Sequence, residues 1–265
     1  MNVPIVNLEE RNAILNPDNG YTVYRSDKND QFNMFLVDEN RWRTYIYSQV
    51  DSDPIPLPPF VVGEPFTIEH KMSNGVAPED ITITYNTVML PGLTGICWLD
   101  RNLGASIRPT NVCDTGQTCQ GWYFQFNRKK GHIRTFNGEG DPNWIKEIRE
   151  TTDWLLENDP AYIELGPGWR LPTKDEWELV DKIGVWANYN QPFNSPLKLH
   201  CAGYCDYYYG VLTDRKKYGK GYYWSSSRVS IDIMAVNYRM FSSSAGTTYY
   251  YKSNGYSVRP VRDLV

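Results

Sequence analysis

The sequence predicts an α+β protein in which a small N-terminal β module precedes a larger mixed domain. Three observations predict it. Residues 16–47 alternate apolar and polar side chains between short polar turns, the period-2 pattern of strands. Residues 172–186, PTKDEWELVDKIGVW, carry a complete set of helix start signals. Beyond them GKGYYWSSS, IMAVNYRMF and GYSVRPV read as three late strands.

In chain order, Asp18-Asn19-Gly20 marks the first turn, YTVYR the strand after it, and SDKND a second turn. FNMFLV, the turn DEN and RWRTYIY complete a β-meander within residues 1–50. DSDPIPLPPF, residues 51–60, holds four prolines and favours an extended, semi-rigid spacer, so a linker is expected over residues 51–65. Residues 66–265 then form one unit. EPFTIEH and ITITYNTVML read as strands, GICWLDRNLGA as a strand ending in a glycine turn, and GWYFQFNRKKG as an aromatic strand. DPNWIKEIRETTDWLL is expected to be helical, with Trp144, Ile148 and Leu155 on one side. In the 172–186 helix Thr173 caps the start and Glu176 completes a capping box. Trp177, Val180 and Ile183 then share one face.

Composition narrows the function. Of 265 residues 41% are hydrophobic and 22% charged, as in a soluble globular chain. The 20 Tyr and 9 Trp are an excess of side chains that bury an apolar body and hydrogen-bond at the tip. A net charge of -4 offers no basic footprint for nucleic acid. No apolar run approaches the roughly 18 residues of a membrane span, so membrane insertion is not expected. The N-terminal MNVPIVNLEERNAILNPDNG shows no signal peptide, and an extracellular, cell-surface or virion location would be reached without one visible in this chain.

Seven motifs occur in order: CWLDRNLGA, GWYFQF, DPNW, GWRLPTKDEWELV, LKLHCAGY, YYWSSS and GYSVRPVRD. Over residues 80–263 they resemble the Fibrobacter major paralogous domain family, itself similar to C-type-lectin-like variable proteins of diversity-generating retroelements. The resemblance implies a C-type lectin-like fold: a mixed, mostly antiparallel sheet with flanking helices. It also implies that changeable side chains are displayed on the late strands and loops, here from about Tyr223 to Ser253. The chain departs from the family pattern at Cys201 and Cys205 and in the loop CDTGQTC.

Within that window the ligand-binding candidates are Arg228, Ser230, Asp232, Asn237, Arg239, Phe241, Ser243, Tyr249, Tyr250 and Tyr251. Alternation in IMAVNYRMF puts Met234, Val236, Tyr238 and Met240 on one face and Ala235, Asn237, Arg239 and Phe241 on the other. The first set is expected to face the core, leaving Asn237, Arg239 and Phe241 outward. Three consecutive tyrosines in a strand cannot all be core, so at least one of Tyr249, Tyr250 and Tyr251 is expected at the surface. Tyr207 and Tyr208 in CDYYYGVLTD are candidates for a neighbouring rim, against hairpin packing. Tyr, Ser and Asn are the side chains of binding loops, because Tyr offers large contact area at low entropy cost.

Catalysis finds little support, and no cofactor is expected. The three histidines, His70, His132 and His200, show no HxH or HExxH spacing. Ser225–Ser227 form no nucleophile elbow. Asp175 and Glu176 sit where a helix dipole favours acids. Cys201 and Cys205 invite comparison with the formylglycine-generating enzymes, but HCAGYC does not match their active-site pattern. Cys113, Cys119, His200, Cys201 and Cys205 lack zinc-knuckle spacing, leaving disulfides or buried thiols, and one of five cysteines must stay unpaired within the chain. Arg170, Arg259 and Arg262 are expected to tie loops or carboxylates beside the sheet. The reading is therefore a non-enzymatic adhesin or phage receptor-binding protein whose partner is a protein or glycan receptor. The alternative is a tail-fibre or surface scaffold module whose aromatic face joins subunits of a homo-oligomer.

Overall fold

The computed structural model describes residues 60–114, 116–133, 141–213 and 219–264, with four further strands before them. It divides into two units, Met1–Phe60 and Val61–Val265.

In the first unit β1 (Ile5–Val6), β2 (Thr22–Arg25), β3 (Gln31–Leu36) and β4 (Arg41–Ile46) lie in that order in one sheet. The β1–β2 pair is parallel and the other two are antiparallel, with Thr22 level with Met34 and Phe35 with Trp42. The turns expected at 18–20, 26–30 and 38–40, and the proline-rich stretch up to residue 59, lie outside the described residues.

The second unit is mixed α+β, with mostly antiparallel sheets and few helices. It opens with the hairpin of β5 (Phe66–His70) and β6 (Ile81–Tyr85), followed by β7 (Thr87–Val88) and β8 (Ile96–Leu99). A short helical turn, α1 (Gln117–Gln120), leads into β9 (Tyr123–Phe124) and β10 (Gly131–His132). Helix α2 (Pro160–Leu165), strand β11 (Trp169–Arg170), helix α3 (Lys174–Gly184) and helix α4 (Asn190–Asn194) come next. The chain ends through β12 (Tyr204–Cys205), β13 (Leu212–Thr213), β14 (Gly221–Arg228), β15 (Met234–Phe241), β16 (Ser244–Tyr251), β17 (Tyr256–Ser257) and β18 (Val261–Asp263).

The larger sheet has the order β10-β9-β17-β14-β15-β16, the smaller β11-β18-β8-β7. The last strand therefore lies inside its sheet, Val261 level with both Trp98 and Arg170. Its arginines act as ties. Arg170 donates to both oxygens of Glu176 (2.7 and 2.8 Å) and of Asp263 (2.7 and 3.0 Å). Buried Arg259 donates to Asn102 Oδ1 (2.7 Å) and to the Leu197 carbonyl. Arg262 donates to the Pro167 carbonyl at 3.0 Å.

Helix α3 covers one face of the larger sheet. Both halves of its capping box form: Thr173 Oγ1 accepts from the Glu176 N–H (3.2 Å), and the Glu176 carboxylate accepts from the Thr173 N–H (2.7 Å). The Trp177 ring stacks on Tyr238 with centroids 5.0 Å apart, and its indole N–H donates to the Trp224 carbonyl. Trp177 and Val180 are buried as expected, whereas Ile183, placed with them by periodicity, is 38% exposed. It lies at the helix end, where Val185 turns the chain into the left-handed region (φ 50°).

A larger correction concerns residues 141–155. They form no helix; the short 3-10 turn at Leu156–Asn158 follows them. Distant residues satisfy their backbone. The Gln125 amide donates to the Ile145 carbonyl (2.7 Å) and accepts from its N–H (3.3 Å). Glu150 N–H bonds the Asp232 carbonyl and Trp154 N–H the Ser226 carbonyl. Trp144 and Ile148 are buried, but Leu155 is exposed. The segment is a strap over the sheet. Likewise only Tyr123–Phe124 of the aromatic run 121–126 is strand.

Candidate binding surface

The three long strands β14, β15 and β16 form an antiparallel meander whose register sorts the side chains. Tyr223 and Tyr238 are level with each other and face α3, with Met240 in the same core. Tyr222 is level with Arg239 and Trp224 with Asn237 on the opposite face. Alternation holds, but that opposite face is half a core rather than open surface. Tyr222 and Tyr256 stack at 5.0 Å, Trp224 meets Tyr256 at 4.4 Å, and Tyr204 from β12 closes on Tyr222 at 4.8 Å. Asn237, expected outward, is buried at 0% exposure with them, and Ala235 is buried too. Neither the oxygen nor the nitrogen of the Asn237 amide has a hydrogen-bond partner among the described residues.

What stays accessible begins beside this aromatic layer. The Arg239 guanidinium lies 4.8 Å from the Phe241 ring and donates to the Tyr250 phenol oxygen at 2.9 Å. Its cross-strand neighbour is Gly246, and a Cβ there would meet nothing within 4 Å, so the shelf beside Arg239 is open. Arg239, Phe241 and Tyr250 are all half-buried.

A second group sits where β16 ends. Strand β16 is the outermost strand of its sheet, and Tyr249 and Tyr251 on it are both exposed. Tyr251 meets Tyr207 at 4.9 Å, which brings the tip of the β12–β13 hairpin against the edge strand. The tip is held by one carboxylate. Asp206 accepts from the N–H groups of Tyr208 (2.9 Å), Tyr209 (2.8 Å) and Val211 (2.8 Å). Reciprocal backbone bonds between Cys205 and Gly255 (2.8 and 2.9 Å) fasten the hairpin base. Gly210 closes the tip at φ +69°, and a Cβ there would collide with the Trp144 ring at 2.6 Å. Tyr207, Tyr208 and Tyr209 are thereby presented at 44%, 46% and 58% exposure, and Lys146 caps Tyr208 at 4.5 Å.

No family model, curated protein or solved structure matches the chain.

The predicted residues are dispersed. Arg239, Phe241 and Tyr250 form the shelf; Tyr207, Tyr208 and Tyr251 belong to the rim; Tyr249 is exposed on β16 level with Val236; Asn237 is withdrawn from the surface. Arg228 ends β14 and Ser230 and Asp232 lie in the turn after it; Arg228 donates to the Thr151 carbonyl (2.6 Å) and Asp232 accepts from Arg149 (3.0 Å). Exposed Ser243 lies in the turn at the far end of β15. Tyr209 and Lys146 were missed. Tyr209 was legible as the third member of its run, whereas nothing local connects Lys146 to a tyrosine sixty-odd residues away.

The three histidines are all drawn into the interior. His70 bridges Glu164 (2.5 Å) and the Tyr85 hydroxyl (2.9 Å), all of them buried. His132 pairs with Asp141 at 2.8 Å, and burial lowers its pKa against the pull of that carboxylate. Burial and then Arg259 push His200 down to about 3. Among the described residues no three His, Cys, Asp or Glu side chains converge as a metal site, and no helix is long and apolar enough to cross a membrane.

Proposed function

We propose that this protein is a non-enzymatic receptor-binding module whose larger unit has a C-type lectin-like fold and engages a protein or glycan through the tyrosine rim. The observation that carries the reading is the hairpin tip. A buried polar network would satisfy Asp206 without displaying anything, yet here its bonds to the Tyr208, Tyr209 and Val211 N–H groups fix a tip on which Tyr207, Tyr208 and Tyr209 are exposed. Ordering such rings before contact removes much of the entropy cost of binding. Their faces supply area while hydroxyls, Arg239 and Lys146 supply directional contacts. The seven motifs in order, the late meander packed on α3 and the closing strand inside the small sheet support the fold assignment. An extracellular, cell-surface or virion setting and diversification of residues 223–253 by a retroelement belong to the same proposal.

The test is a screen of the labelled full chain against a glycan array and a panel of whole cells. Each hit is then measured again with Tyr207→Ala, Tyr208→Ala and Tyr251→Ala combined. Affinity should fall at least about tenfold, roughly 1.4 kcal/mol, with the melting temperature kept. Hits that survive at full strength would place binding elsewhere.

The scaffold alternative has one observation in its favour: β16 is an edge strand, and edge strands invite pairing with another chain. Light scattering on the full chain distinguishes them. A stable oligomer that dissociates with the triple variant would favour the scaffold.

A further inference from the structure

Five cysteines lie in the second unit, all as free thiols, and the chain order suggests local pairs, 113 with 119 and 201 with 205. The structure separates those partners. Cys119 turns into its own loop and donates to the Gly116 carbonyl at 3.0 Å. Cys205 packs with Tyr123 and Trp144, in a different cluster from Cys201. Cys97 lies on β8, level with Arg262.

Cys113 and Cys201, 88 positions apart, are instead side by side. The Cys201 N–H donates to the Val112 carbonyl at 2.8 Å, so the two backbones are adjacent one residue from Cys113. Cys113 packs against the cluster that contains Cys201. Both sulfurs border one small space: a Cβ placed on Gly219 would lie 3.3 Å from Cys113 Sγ and 3.9 Å from Cys201 Sγ. Burial, and after it the neighbouring Cys113, raise the pKa of the Cys201 thiol. Residue 219, a glycine at φ +54°, puts no side chain of its own into that space, which the Tyr189 ring also borders. The pair is asymmetric as well. Cys113 is half-exposed in the loop before α1, while Cys201 is fully buried and donates to the Gly219 carbonyl at 2.9 Å.

We infer that Cys113 and Cys201 form a reversible disulfide when the protein meets a small-molecule disulfide. Cys113 is the entry thiol. Deprotonated, it attacks one sulfur of the reagent and releases a thiolate, leaving a mixed disulfide on Cys113. The Cys201 thiol then loses its proton and attacks the Cys113 sulfur, expelling the second reagent thiol. Two electrons pass from the protein pair to the reagent, and one disulfide with two thiols becomes two small thiols and a protein disulfide. Burial holds the Cys201 thiol well above its usual pKa, which makes the second step the slower one. The cross-link would staple the loop around Cys113 to the segment entering β12 and close a long loop of chain, which constrains the unfolded state strongly.

The experiment treats the full chain with oxidised glutathione, then counts thiols after denaturation and maps linked peptides by mass spectrometry. We expect five titratable thiols to become three, an intact mass about 2 Da lower as two hydrogens leave, and one linked pair, Cys113 with Cys201. The oxidised form should melt higher by about 5 °C or more, and dithiothreitol should reverse the shift. Cys113→Ser, altered only at the half-exposed thiol, should retain all four of its remaining thiols under the same treatment. Five persisting thiols, a stable glutathione adduct on Cys113, or linkage through Cys119 or Cys205 would each overturn the assignment. If Cys201→Ala does not fold, the Cys113→Ser result and the peptide map still decide it.

Discussion

Arg239 reaches across β15 and β16 to donate to the Tyr250 phenol oxygen at 2.9 Å, with its guanidinium 4.8 Å from the Phe241 ring. The contact orients a cation on the open side of the sheet. Replacing it by alanine removes a directional donor from the shelf but no core volume. Arg239→Ala should therefore weaken any ligand found in the screen by about tenfold while leaving the unfolding free energy within about 1 kcal/mol. Arg239→Lys, which keeps charge and loses the planar fork, should fall between them. Titration calorimetry beside urea unfolding measures both, and a variant that loses folding along with binding would make Arg239 structural.

Asp206 offers a separate handle on the rim, since it holds three backbone N–H groups of the hairpin tip. Asp206→Ala should speed amide exchange at Tyr208, Tyr209 and Val211 and cost about 1–2 kcal/mol. Binding should weaken although every tyrosine is still present, because the rings lose their fixed array. Unchanged exchange at those three amides would show that the tip is ordered by other contacts.

His200 sets a pH dependence whose sign follows from its burial. Its ring nitrogens lack partners among the described residues, and its pKa drops to about 3 from an ordinary value near 6.5. Between those values the unfolded chain binds a proton that the folded chain refuses, so unfolding gains. Stability should fall as the pH is lowered from 6.5 toward 3 and be unaffected by this group above 7. His200→Leu should flatten that limb, as read by melting temperature across the range. A wild-type limb as steep as that of the variant would contradict the buried neutral imidazole.

Asn237 carries the opposite expectation from a binding residue. Its buried amide lacks partners among the described residues, which leaves desolvation uncompensated. Asn237→Leu, close in volume, should be neutral or stabilise by about 1–2 kcal/mol, with ligand binding intact. Lost binding in a folded variant would restore Asn237 to the surface.

The local half of the fold was legible. Helix α3 could be read because its start depends on residues three apart, Thr173 and Glu176, and β14 and β15 because alternation is a period of two, whereas the single strand expected over GYSVRPV is split into β17 and β18 in different sheets. The strap over residues 141–155 was not. Its apolar spacing suits a helix, but its backbone bonds end on Gln125, Ser226 and Asp232, none of them near in sequence. Exposure failed for the same reason on β15. Alternation assigned Asn237 and Arg239 to one face correctly, yet rings from β12, β14 and β17 covered only the part that holds Asn237.

By itself the sequence determined what short-range stereochemistry can specify: a capped helix, strand periodicity, and a tyrosine-rich composition. Tertiary structure decided which of those side chains meet water and which meet one another. Burial and pairing are properties of chain segments brought together from far apart, so Tyr207 finds Tyr251, Cys113 finds Cys201, and Asn237 disappears inside.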